Sequence, residues 1–441
     1  MTFPTSPEDG DTYDAPDGKV YEYNSSELRW KIKEYSAAKI HVKPVESPAG
    51  DGSDHGKFLR WDNLIEEWVL SGGGTLDALV KGSPLAAGFG QHMFAFDASD
   101  PKDNNCWGWG LNDYGQLADG TIIPKSSPIS VSNGLSFVRV MSGLDYSLGL
   151  TEDGQMWGWG NNQNRKLGTS DMTLAYSSPV SAVGDHQFSE VAAGDDHSVM
   201  LERDGTVYCC GRNIFGQIGD GTRTERSTPT AIIGGHGPFT KISVGLASFS
   251  CALDENGVVW TWGYNAYGQL GDNTETNRSS PVSVVGATVS FIDISAGGGH
   301  VTAMTATGEA WSWGDGTEGQ LGNDSFFDRS TPVSVYGNHR WRKVVCGAWH
   351  VVVLDAFGKA WAWGRNNYGQ LGANGPVTNN SIPVSVSGDK TFTDVSAAGD
   401  ASYALDSDGV VWAWGRNSSG QLGIDAITNR SSPVSVYRLF G

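Results

Sequence analysis

The chain has 441 residues, room for about two or three domains. Hydrophobic residues make up 39% and charged residues 18%, a globular balance, and 60 glycines with 17 tryptophans point to tight turns around an aromatic-rich core. The formal net charge of −19 argues against partners recognised through phosphate, so neither nucleic acid nor an anionic membrane is expected.

Residues 1–18 are polar, with Asp9, Asp11, Asp14 and Asp17, and lack the basic and apolar regions of a secretory signal. The four aspartates miss the register of a calcium loop and read as turn residues. Tyr21-Glu22-Tyr23-Asn24 leads to Trp30-Lys31-Ile32, and Phe58-Leu59-Arg60-Trp61-Asp62 leads to Trp68-Val69-Leu70. Tyr23 to Trp30 and Trp61 to Trp68 share one spacing, so both segments are expected to be hairpins carrying an aromatic pair. Isolated hairpins are marginal in water, which makes these four aromatics candidate assembly residues. A Gly-Ser-Asp stretch, residues 47–56, separates the hairpins, and residues 71–74 read as a flexible linker. The motif Asp9-Gly10, Tyr13, Gly18-Lys19, Tyr21, Tyr23 and Trp30-Lys31-Ile32 resembles short repeats at the ends of tailed-bacteriophage virion proteins.

From about residue 80 the chain repeats. Trp-x-Trp-Gly starts at Trp107, Trp157, Trp260, Trp311, Trp361 and Trp412, and Tyr208-Cys209-Cys210-Gly211 fills the gap. A second marker runs in step: Pro128, Pro179, Pro229, Pro281, Pro332, Pro383 and Pro433. Each copy reads as four short strands. In the fourth, Ile242 to Gly245, Ser250 to Leu253, Val258 to Gly263 and Pro281 to Val284 are strands, with a hairpin turn at Asn256-Gly257. Gly154, Gly205, Gly257, Gly308, Gly358 and Gly409 hold the turn position, and Asn104 replaces glycine in the first copy. Strand alternation puts both tryptophans on one face and a small residue on the other: Gly108, Gly158, Cys209, Thr261, Ser312, Ala362 or Ala413. Sheets with one bulky and one small face stack radially, so the expected fold is all-β: a seven-bladed propeller of four-stranded antiparallel blades over residues 76–441, preceded by the hairpin region of residues 1–75. The Pro-led strand at Pro433 is expected to complete the sheet begun near residues 79–88, closing the ring.

The run Trp-x-Trp-Gly-x-Asn-x-x-Gly-Gln-Leu-Gly, then Ser-x-Pro, with Ala-Gly-x-x-His upstream, resembles regulator-of-chromosome-condensation repeats. Departures are Arg165-Lys166 for Gly-Gln, Gly316 for the Asn, Ala118 for the final Gly, Ala398 for the strand-end Gly, and an insertion at residues 101–105. The resemblance implies a propeller that binds proteins. The family's namesake is a nucleotide-exchange factor with a basic tail, whereas the N-terminal region here is acidic.

No catalytic motif stands out, and neither metal nor cofactor is expected. The five cysteines, Cys106, Cys209, Cys210, Cys251 and Cys346, read as buried thiols. His197, His300 and His350 share one repeat position and read as strand-end hydrogen-bonders rather than a metal cluster. The apolar stretch at residues 344–354 is interrupted by His350 and is too short to span a bilayer. Recognition is expected on the variable loops, with Phe326, Phe327, Tyr176, Ile123 and Trp349 as candidate contacts. The expected role is a non-enzymatic virion component, made in the host cytoplasm, that docks and homo-oligomerises through its N-terminal region. Its expected partners are other virion proteins and a host-surface receptor. The alternative is a soluble binding propeller, such as an exchange factor or protein inhibitor.

Overall fold

The computed structural model describes residues 85–86, 88–96, 106–131, 134–171 and 173–436, and the strand backbones at 12–14, 20–24, 29–34, 59–62 and 67–70. The chain divides into two units, Met1–Leu76 and Asp77–Gly441. In the first, Val20–Asn24 pairs with Arg29–Glu34, and Leu59–Asp62 with Glu67–Leu70. The registers set Tyr23 opposite Trp30 and Trp61 opposite Trp68. Thr12–Asp14 adds a third strand that the hairpin reading did not include. The expected linkers at 47–56 and 71–74, and Asp9, Asp11 and Asp17, lie outside the described residues.

The second unit is a seven-bladed propeller of four-stranded antiparallel sheets. Its blades span residues 85–130, 137–181, 188–231, 239–283, 291–334, 341–385 and 392–435, numbered 1 to 7. Successive first strands pack on one another, which makes them the inner strands of the ring. Their third position carries Arg139, Glu190, Lys241, Asp293, Lys343 and Asp394 in blades 2 to 7, alternating in sign. Arg139 pairs with Glu190 at 3.5 Å, Lys241 with Asp293, and Lys343 with Asp394. Among the described residues no helix is long and apolar enough to cross a membrane.

The expected strand exchange is overturned. Arg430–Ser435, which contains Pro433, pairs with Val411–Gly415 of its own blade, and Leu85–Ala86 pairs with His92–Phe96. Each repeat runs from inner strand to Pro-led strand, so every blade is continuous in sequence, and blade 1 owns the strand containing Pro128. Residues 79–84 and 437–441 lie outside the described residues. Closure uses the joint found between other blades. In six of the seven repeats the second Trp is fully buried and donates its indole N–H to the backbone carbonyl of the Gln in the preceding blade's glutamine turn. Trp159 bonds Gln116, Trp262 Gln217, Trp313 Gln269, Trp363 Gln320 and Trp414 Gln370, at 2.8–3.1 Å. Trp109 of blade 1 bonds Gln421 of blade 7 at 2.8 Å, and Tyr403 adds a bond to the same carbonyl at 2.7 Å.

The seam between blades 2 and 3 carries both large departures, and they meet. Cys210, in place of the Trp, points its thiol at the Lys166 carbonyl at 3.3 Å. The Lys166 ammonium, 1% exposed, binds the Asp145 carboxylate at 2.6 Å and the Asp195 carbonyl at 2.8 Å. At five of the six other seams the final glycine of the glutamine turn lies directly against the indole. At Gly271, φ is +65° and a Cβ would lie 2.8 Å from the Trp313 indole nitrogen. Ala118 tolerates the same left-handed conformation, at φ 58°.

In six blades the long loop between third and fourth strands is clamped by the repeat's Asn. Asn265 Oδ1 accepts the Leu270 N–H, and its Nδ2 donates to the Thr274 and Thr276 carbonyls. Asn112, Asn162, Asn213, Asn366 and Asn417 repeat the inner bond. Blade 5 has Gly316 instead, and its loop drops into the vacated space: a Cβ on Gly316 would lie 2.3 Å from the Phe327 carbonyl oxygen. Asp328 then accepts the Gly316 N–H at 2.9 Å, where Asn277, Asn379 and Asn429 accept in blades 4, 6 and 7. Burial, the Asp315 carboxylate and Glu275 hold the Asp328 carboxyl above its ordinary pKa.

The repeated histidines sit under the seams. His92, His197 and His350 place Nε2 2.8–2.9 Å from Ser147, Ser250 and Ser402 of the next blade. In blade 5, His300 faces Val351 at the corresponding position, and neither of its ring nitrogens has a partner. Burial lowers His92, His300 and His350 to a pKa of about 3 and His197 to about 4. The unfolded chain therefore binds more protons below pH ~6.5, and stability present above that pH falls as the pH drops toward ~4.

Two outcomes are expected from these features. The urea midpoint should drop between pH 7 and pH 5, and by less in His300→Phe, which installs the ring that Phe249 supplies in blade 4; equal drops would contradict the assignment. Asp328→Asn keeps the acceptor for Gly316 while removing like-charge repulsion. Calorimetry should show it more stable by about 0.5–1 kcal/mol, and a lower Tm than wild type would count against the account.

Candidate functional site

The antiparallel register brings two connections to the same end of every blade: the turn between first and second strands, and the long clamped loop. Three positions meet there at each seam. One is the residue before Gly-Gln, the second follows Trp-Gly in the next blade, and the third precedes that blade's His position.

These positions vary from seam to seam while the backbone beneath repeats. Between blades 3 and 4 the Phe215 and Tyr264 rings lie 4.8 Å apart. Between blades 6 and 7 the Arg416 guanidinium sits 5.2 Å from the Tyr368 ring centre and 3.7 Å from Asp400. Between blades 2 and 3, Asn164 takes the ring's place and donates to Asp196 at 2.8 Å, and Arg212 pairs with Asp196 at 2.7 Å. Burial and then the Asp196 carboxylate push the adjacent Asp195 up to about 6. Between blades 7 and 1, Ser419 bonds the Gln91 side chain at 2.7 Å. Between blades 4 and 5 the trio is Tyr267, Asp315 and Gly299.

The residues expected to make contacts fall at this end, on four different blades. Phe326 and Phe327, 47% and 72% exposed, form the tip of the blade 5 loop. Ile123 is exposed on the blade 1 loop. Tyr176 lies in the strand Ala175–Ser181, half-buried, with its hydroxyl on Asp171. Trp349 is half-buried in the blade 6 turn beside the blade 5 seam. The structure does not gather these residues into one cluster. Tyr23, Trp30, Trp61 and Trp68 belong to the N-terminal unit, where the backbone register pairs them as described above.

Sequence reasoning missed the Tyr267, Asp315 and Asp328 group. Asp315 stands where other copies have Leu, Asn, Arg or Tyr, and a comparison of the seven copies at that column would have exposed it. It also missed His92 as the fourth member of the histidine position. All five cysteines are buried and unpaired, and burial is the first cause of the raised pKa of each thiol. Among the described residues no group of three His, Cys, Asp or Glu side chains is placed to hold a metal ion.

Comparison with known proteins agrees with this architecture. The chain is 29% identical to the ultraviolet-B receptor UVR8 of Arabidopsis thaliana over 407 residues, covering 88% of this chain and 81% of that protein. It is 29% identical over 255 residues to the E3 ubiquitin-protein ligase HERC2 of Homo sapiens, covering 56% of this chain but only 5% of HERC2. The structure of human WBSCR16 superposes with a TM-score of 0.70 at 21% identity, covering 76% of this chain and 95% of that one. Prp20p of Saccharomyces cerevisiae gives 0.68 at 20% identity, covering 81% and 88%. These two structural likenesses show the fold. The regulator of chromosome condensation (RCC1) repeat matches residues 103–150 and 153–201. The RCC1-like domain matches residues 178–441, more than half of the chain, and the protein therefore belongs to the RCC1-like domain family.

Proposed function

We propose that this propeller is a non-catalytic protein-binding module that recognises its partner with the loop face. The observation that carries this reading is an arc of exposed apolar loop tips. Phe326 and Phe327 on blade 5, Val377 on blade 6, Ile427 on blade 7, Ile122 and Ile123 on blade 1, and Leu174 on blade 2 are each 47–72% exposed. Blades 3 and 4 carry Arg223, Glu225 and Glu275 on the corresponding loops instead. Because blade 7 joins blade 1, the apolar tips occupy five successive blades. Exposed apolar side chains on a rigid scaffold, rimmed by carboxylates, suit a protein surface better than a small polar substrate. The membership in a family of propellers supports the same general role. The narrower placement in a virion, with docking and oligomerisation through residues 1–75, rests on the N-terminal motif alone.

The test is affinity capture with the full chain, followed by hydroxyl-radical footprinting of the captured complex. Wild type should retain a protein that protects the apolar arc, and Phe327→Asp combined with Ile427→Asp should weaken capture at least thirtyfold, about 2 kcal/mol. Protection confined to the opposite end of the blades, or undiminished capture by the double variant, would overturn the reading.

A further inference from the structure

The seven seams amount to an internal comparison, and at one of them a carboxylate replaces the cation that three others carry. Between blades 6 and 7, a ring before Gly-Gln (Tyr368) and a carboxylate before the His position (Asp400) together hold the guanidinium of Arg416. Between blades 2 and 3, Asp196 likewise holds Arg212. Between blades 4 and 5, the ring is present as Tyr267, 38% exposed, but the residue aligned with Arg416 and Arg212 is Asp315. A carboxylate stands where the protein elsewhere places a cation.

The geometry around Asp315 is open toward the ring. Position 299, where Asp400 and Asp196 stand at the other seams, is glycine. A Cβ built on Gly299 would lie 3.4 Å from both the Tyr267 ring and the Asp315 Cβ, so the two flank one small space. Asp315 is only 3% exposed. Its Oδ1 accepts the Thr317 N–H at 2.9 Å and hydroxyl at 2.6 Å, its carboxyl also hydrogen-bonds that of Asp328, and neither carboxyl forms an ion pair with a Lys or Arg among the described residues. The Asp328 carboxylate adjoins Asp315, and its Oδ1 is held by Gly316. Tyr264 extends the aromatic surface, its ring 6.2 Å from Tyr267. Two adjoining carboxylates and a half-open ring, unmatched by any base, have the composition of a cation receptor.

We propose that the seam between blades 4 and 5 receives a cationic side chain, an arginine or lysine of a partner protein, with Tyr267 beneath the charge and Asp315 and Asp328 pairing with it. This site deepens the protein-binding reading above and rests on it. It gives the loop face a charge-specific contact beside the Phe326–Phe327 tip, which the blade 5 loop carries on the same segment as Asp328. The occupant seats at the 4–5 seam as Arg416 seats at the 6–7 seam.

The probe is N-acetyl-arginine methylamide, titrated into full-length protein carrying fluorinated tyrosine, with the neutral isostere N-acetyl-citrulline methylamide as control. Saturable shifts of the Tyr264 and Tyr267 fluorine signals with arginine and not with citrulline are expected, weakened by added salt. Asp315→Asn should reduce affinity at least tenfold. Asp315→Arg should abolish binding, because its guanidinium takes the place that Arg416 takes between blades 6 and 7. Tyr267→Leu, at an exposed ring, is the variant that keeps the test decisive if Asp315 variants fold poorly, with Tyr264 as the reporter. No shift, equal shifts with citrulline, or binding that survives both Asp315→Arg and Tyr267→Leu would overturn the site. If partner capture through the apolar arc persists while the arginine probe fails to bind, this site is wrong and the protein-binding reading stands.

Discussion

The propeller depends on one joint: a buried indole from six of the seven repeats reaching into the glutamine turn of the blade before it. Two effects combine there, and their sizes differ. Burying a tryptophan removes about 150–250 Å² from water, on the order of 4–6 kcal/mol as an upper figure. The N–H to carbonyl bond adds about 1 kcal/mol net. Burial therefore supplies the adhesion and the hydrogen bond fixes the angle. The bond also explains why the turn is Gly-Gln-Leu-Gly: at most seams the last glycine lies where any side chain would strike the indole. Because the same joint links blade 7 to blade 1, through Trp109 and Gln421, the ring closes without a shared sheet.

A ring held this way can vary at its loop face without losing its frame. The seam with the most altered joint, between blades 2 and 3, shows the tolerance: a thiol replaces the indole, and the buried Lys166 ammonium compensates with bonds to the Asp145 carboxylate and the Asp195 carbonyl. Blade 5 shows a different use of that freedom. Losing the clamping Asn to Gly316 lets the loop settle against the backbone, and the same loop carries the exposed phenylalanine pair and the Asp328 carboxylate. Departures from the repeat are thus concentrated at specific seams. The carboxylate pair of blade 5 is the property they create there.

Much of the fold was legible because it repeats. Blade number, strand content and the turn glycines follow from two markers in step, and positive φ at Gly154, Gly205 and Gly257 agrees with the turn reading. Closure was misread because the repeat boundary is arbitrary in sequence: a Pro-led strand after each Trp strand looks the same whether it ends one blade or begins the next. Only hydrogen-bond register separates the two, as Arg430–Ser435 shows. The Phe326–Phe327 tip was legible as two adjacent apolar residues in a variable loop. The Asp315–Tyr267 group was not, because its members lie 48 positions apart and meet only across a seam. The inner ring of alternating charges was hidden for the same reason, each charge being ordinary within its own strand.

Hydrogen exchange measured by mass spectrometry on Trp109→Phe, beside Trp262→Phe, tests the central claim most directly. Both substitutions remove one indole bond, but only Trp109 sits at the joint between the first and last blades. The account predicts that Trp109→Phe speeds exchange in His92–Phe96 and Ala401–Asp406 while blades 3 to 5 stay protected, and that Trp262→Phe produces a smaller change confined to blades 3 and 4. Equal and uniform loss of protection in both variants, or none at the blade 7–blade 1 seam, would contradict closure by this joint.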